Sequence, residues 1–127
     1  MKRFIVLFAI LSISFTIFAQ QYTIIRGHTR ISHTTLSTKE QYIFSSIVID
    51  NYNNIIAIND DGDPILFNIV SSYTEIQGNF KIITGRVIEV EQGGFFAFSI
   101  QYSLYSNDVI VTIATNTKGI SYIGKII

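Results

Sequence analysis

The side chains able to do chemistry are few: His28, His33, the acidic run Asn59-Asp60-Asp61-Gly62-Asp63, and the glutamates Glu75, Glu89 and Glu91. Calcium requires several oxygen ligands converging on one point, and an EF-hand loop spaces them around a fixed glycine. Aligning that glycine on Gly62 puts Asn59 and Asp61 in ligand positions. It also puts Ala57 at the first position and Asn68 at the twelfth, where a bidentate Glu is needed, so the motif fails. Asp-Gly is also an ordinary hairpin turn, and the run reads as one.

His28 and His33 are the only histidines, and residues five apart on a strand face opposite ways. Zinc usually takes three or four protein ligands, and without cysteine the remainder would have to be distant carboxylates. No Gly-x-Ser-x-Gly elbow is present. Glu89 and Glu91 stand about 7 Å apart by strand rise, and an acid pair for glycoside cleavage could be drawn from them and Glu75. Neighbouring carboxylates on a polar face account for them more simply. The sequence therefore supplies no catalytic residue, metal set or cofactor motif. A small exported hydrolase stays only as a third alternative.

The aromatic residues pose a different question. Phe95 and Tyr105 lie on the odd side of a strand whose even side is apolar, and with Tyr42 and Phe44 they form a candidate contact patch. The competing reading is that the segment Ser32–Gln41 covers them. In a barrel the same residues would line a ligand cavity.

The strand in question organises the chain. Phe96, Phe98, Ile100, Tyr102 and Leu104 alternate with Ala97, Ser99, Gln101 and Ser103, a period of two that a strand explains and a helix does not. Ser106-Asn107-Asp108 turns it back into Val109–Thr115. Upstream, Tyr22–Ile31 reads as a first strand, with Ile25, Gly27, Thr29 and Ile31 on one parity. Arg26, His28 and Arg30 on the other suggest an edge position. Ser32–Gln41 lacks apolar alternation and reads as a loop. Tyr42–Asp50 is a second strand, apolar on both faces. Ile55–Ile58 and Ile65–Val70 flank the acidic turn.

Between residues 75 and 91, Ile76, Phe80, Ile82, Ile88 and Val90 share even parity. This favours one coiled strand bent near Gly85 over two strands meeting at Thr84-Gly85. Ile120–Ile127 closes the chain as a last strand. The expectation is a single all-β antiparallel domain of about eight short strands. It would be a closed or nearly closed barrel or a two-sheet sandwich.

Composition bounds the context. The full chain of 127 residues has a formal net charge of zero. Lys2-Arg3, the apolar run Phe4–Phe18 and Ala19 have the layout of a secretory leader, residues 1–19, ahead of a domain over residues 20–127. Loss of Lys2 and Arg3 leaves the remainder slightly acidic. With its cations scattered it carries no basic footprint for nucleic acid and no membrane span. Cysteine is absent, so neither a disulfide nor a lipidated N-terminal Cys holds or anchors the chain. The reading is a secreted or periplasmic accessory or binding domain acting non-covalently through a surface or shallow cavity. Its partner would be a small apolar ligand or another exported protein. The alternative is an assembly protein pairing through exposed strand edges.

Overall fold

The computed structural model describes residues 21–60 and 62–127. The expected leader, residues 1–19, lies outside the described residues, as does Asp61 of the acidic run. The strands in chain order are β1 (Tyr22–Thr34), β2 (Thr38–Gln41), β3 (Ser45–Asp50), β4 (Ile55–Asn59), β5 (Ile65–Gln77), β6 (Phe80–Glu89), β7 (Phe95–Ser103), β8 (Asp108–Ala114) and β9 (Lys118–Ile126). From β3 onward each strand pairs antiparallel with the next, and β9 returns to pair with β1. Eight strands thus close into a barrel, and β2 is the extra one. It runs in line with β3 along the same edge of β1. The sandwich alternative falls, because the β1–β9 ladder closes the sheet on itself.

The alternation in β7 is as read. Phe98 and Ile100 are buried, and Phe96 and Tyr102 pack against them; Leu104 lies past the strand end and is exposed. The inward residues of β7 face buried residues of β8: Phe98 faces Ile113, Ile100 faces Val111 and the partly buried Tyr102 faces Val109. Continuing around the wall, one layer runs Ile83, Ile100, Val111, Tyr122, Arg30 by cross-strand pairing. An apolar layer therefore ends on a guanidinium.

Two glycines allow the barrel to close where this layer begins to turn polar. A Cβ on Gly124 would lie 2.3 Å from the Arg26 carbonyl oxygen and 2.7 Å from the Gly27 Cα, and one on Gly27 would lie 1.9 Å from Ser45 Oγ. At Gly124 the obstruction is backbone and only glycine fits, whereas at Gly27 it is a serine hydroxyl that can rotate. The register of β1 against β9 also slips between Gly27 and Thr29, a bulge that bends β1.

Several boundaries differ from the sequence reading. β1 is not an edge strand: it pairs with β9 on one side and with β2 and β3 on the other. Ser32–Gln41 is not a loop but the top of β1 and a short hairpin strand. Thr34 builds its turn, its hydroxyl accepting from Ser37 N at 3.1 Å while its own N–H donates to the Ser37 carbonyl at 2.8 Å. The hairpin is polar on both faces, so no alternation marked it. Tyr42, Ile43 and Phe44 leave the ladder between β2 and β3, and the strand expected from Tyr42 begins at Ser45.

The longest misreading concerns residues 75–91. The chain reverses at Gly78-Asn79, between Gln77 and Phe80, rather than bending or breaking at Gly85. Gly78 takes φ 58° at the first central position, where a two-residue hairpin turn of type II′ wants glycine. Gly85 lies inside β6, where a Cβ would sit 2.0 Å from the Ser71 carbonyl oxygen beside a register slip in β5. The shared even parity was coincidental. The turn sets Ile76 opposite Lys81, on the side of Ile83 and Val87, and Val87 is the fully buried residue of β6.

Candidate functional site

The polar end of the Ile83–Arg30 layer is a side-chain cluster drawn from three strands and a turn. Arg30 Nη1 donates to Asp60 Oδ2 at 2.7 Å, and its Nη2 donates to Gln41 Oε1 at 2.7 Å. The Tyr122 hydroxyl donates to the same Asp60 oxygen at 2.9 Å. The bulge near His28 puts Arg30 opposite Tyr122, and β4 carries Asp60 inward one step beyond Ile58. Both charged side chains are about three-quarters withdrawn from solvent, with 24% and 20% of their area exposed. Burial alone would raise the Asp60 pKa. The hydrogen bonds from Arg30 and Tyr122 and the guanidinium charge outweigh it and hold the carboxyl below its ordinary value. Burial, reinforced by the neighbouring carboxylate, pushes the Tyr122 phenol well above its ordinary value. The cluster is thus Arg⁺, Asp⁻ and neutral Tyr at physiological pH. Its hydrogen bonds run inward, so it braces the wall rather than presenting a nucleophile.

Above the Tyr122 ring the barrel opens. A cavity of about 330 Å³ lies at the end formed by the C-terminal ends of β1, β4, β6 and β8 and the N-terminal ends of β5, β7 and β9. Its deep walls are Ile58, Phe67, Phe96 and Ile113, with Ile65 and Ile120 nearer solvent. Phe67 and Phe96 meet edge to face, with centroids 5.7 Å apart, and stiffen one wall. Ile65 and Ile120 remain 45% and 37% exposed, so the mouth is greasy as well as the interior. Polar groups, Glu89 and Lys118 among them, stand at the rim. The volume falls at the small end of the range for ligand sites, and an apolar interior with a few polar groups is their usual make-up.

The four residues of the expected contact patch do not meet. Tyr42 and Phe44 are exposed in the segment between β2 and β3, Phe95 is exposed at the start of β7, and Tyr105 is exposed beyond its end. Phe95 and Tyr105 are ten residues apart, about 30 Å by strand rise. Tyr42 and Phe44 stand four strands away around the barrel in either direction. The β1–β2 hairpin covers none of them, and none lines the apolar cavity. Phe44 instead borders a second, shallow and open depression with Arg26, Ser46 and Asn59.

The other candidates are equally dispersed. His28 Nδ1 lies 2.8 Å from Thr29 Oγ1, while His33 pairs with Thr38 at the cavity rim. Among the described residues no three His, Asp or Glu side chains converge as a metal set would. Glu75 and Glu89 belong to opposite ends of the β5–β6 hairpin, and Glu91 is exposed in the following turn.

Reading by residue type missed the cavity because its walls, Ile58, Phe67, Phe96 and Ile113, are ordinary core residues by alternation. The one available signal was Ile65 and Ile120, apolar residues beside turns. Against known proteins, the chain matches no family model, no curated protein and no solved structure.

Proposed function

We propose that this chain is an exported binding protein that takes a small, largely apolar ligand into the open end of its barrel and does no covalent chemistry. The observation that carries the reading is the 330 Å³ cavity whose depth is walled by Ile58, Phe67, Phe96 and Ile113. A filled eight-strand barrel can leave room for one small ligand. Here the interior side chains fill one end and stop short of the other. Export rests on the leader pattern of residues 1–19, and the intact mass of the exported protein tests it: the chain should begin at Gln20.

Binding is tested by titrating the protein with N-phenyl-1-naphthylamine, an uncharged probe whose emission rises in apolar surroundings. Ile120→Arg puts a charge at the mouth, at a position already half open, and should weaken binding at least tenfold. Ile24→Arg, at a similarly exposed position on the outside of β1, should leave it unchanged. Equal binding by wild type and Ile120→Arg would remove the proposal.

A further inference from the structure

Barrel closure normally removes every open sheet edge, yet β5 keeps one. Its pairing with β4 covers only Ile65–Asn68, and the last bond on that side runs from Ile69 N to the Asn54 carbonyl at 2.7 Å. β5 continues to Gln77, bonded on its other side to β6. Among the described residues no strand pairs with the outer edge of Val70–Gln77. The two-residue turn at Gly78-Asn79 makes Gln77–Phe80 a bonded pair, so the backbone groups of Ser72, Thr74 and Ile76 point away from β6, to the open edge.

Edges left in water are usually blunted by lysine, proline or inward charge. Val70-Ser71-Ser72-Tyr73-Thr74-Glu75-Ile76-Gln77 has no lysine, arginine or proline and one charge. It exposes Val70, Tyr73 and Ile76 at 56%, 65% and 68%.

We infer that this edge is a docking surface for a second copy of the chain, joined antiparallel about a twofold axis through Tyr73. The segment is complementary to itself in that register. Ser72 of one copy bonds Thr74 of the other in both directions, giving about four backbone bonds at the centre. Val70 lies opposite Ile76, Tyr73 opposite Tyr73, and Glu75 opposite Ser71. The two Glu75 carboxylates then stand about 13 Å apart by strand rise, beyond a Debye length of about 8 Å in physiological salt. A register centred on Glu75 would set like charges face to face. One centred on Thr74 would waste Val70 against Gly78. The contact is small, so the dimer is weak and concentration-dependent. It lies at the far end of β5 from Ile65 and Phe67 and stands or falls independently of ligand binding.

The test is sedimentation equilibrium of the mature protein from about 1 to 500 µM, a range suited to a small interface, with single-cysteine variants of this cysteine-free chain. A monomer–dimer equilibrium is expected, weakened at least tenfold by Thr74→Pro, which removes an edge donor that β6 does not use. Thr74→Lys serves the same end if proline disturbs the hairpin, and circular dichroism checks that either variant keeps its sheet. Tyr73→Cys should form an interchain disulfide on mild oxidation, because the unbonded central pair brings Cα atoms within disulfide range. Glu75→Cys, on the same face, should not. A monomer throughout overturns the inference. So does a dimer that Glu75→Cys cross-links and Tyr73→Cys does not, or one indifferent to folded variants at Thr74.

Discussion

Arg30, Asp60 and Tyr122 place a charged pair and a phenol in the wall of a largely apolar barrel. Removing one partner leaves the other buried and unpaired, which costs more than the net worth of the pair. Arg30→Ala should therefore lower the unfolding free energy by about 2 kcal/mol, below the fully buried range because a fifth of the Asp60 side chain meets solvent. Tyr122→Phe keeps the ring that floors the cavity and loses one hydrogen bond to a charged group, so about 1.5 kcal/mol is expected. Urea denaturation at pH 7 measures both.

The same cluster sets a pH dependence. Asp60 has a folded pKa below its reference of 3.8, so its contribution is complete above that value and is lost as pH falls through the folded one. Tyr122 has a folded pKa above its reference of 10.0, so the fold holds a proton that the unfolded chain releases. Stability from that source is complete below pH 10 and declines as pH rises beyond it. Denaturation midpoints across pH should fall on both flanks, and Tyr122→Phe should flatten the alkaline one.

At the scale of elements, turns and close approaches fix where each strand stops. Gly78→Ala forces a Cβ into positive φ and should cost about 1 kcal/mol. Gly124→Ala drives a Cβ into the Arg26 carbonyl across the β1–β9 closure and should cost about 3 kcal/mol. Midpoint shifts at constant urea m-value distinguish these from a change in the unfolded state.

What the sequence disclosed follows the same division. The sidedness of β7 was legible because, beyond Phe95, one parity is large and apolar and the other small or polar. The faces of β6 were not, since Ile82 and Ile88 on one parity look like Ile83 and Val87 on the other. Only the position of the Gly78-Asn79 turn decides between them. The β1–β2 hairpin was illegible because its partners, Arg30–His33 and Thr38–Gln41, present polar groups to both sides. The Arg30–Asp60 bond joins residues 30 apart through a bulge that no local pattern announces. The cavity is a property of closure, and closure rests on a pairing between the first strand and the last.

For the whole molecule, a barrel filled at one end and hollow at the other has the shape of a cup. The filled end holds Ile25, Ile47, Val109 and their neighbours at almost no exposure, while the hollow end leaves Ile65 and Ile120 partly in water. A ligand that enters the cup binds the folded state alone and should raise the melting temperature with concentration, as linkage requires. The most direct measurement is a methyl NMR titration of isoleucine-labelled protein with a small apolar ligand such as 1-octanol. The Ile58, Ile65, Ile113 and Ile120 resonances should shift saturably while those of Ile25 and Ile47 stay in place. Shifts confined to exposed residues away from the cavity, such as Ile24 and Ile76, or no saturable shift at the four cavity positions, would contradict the account.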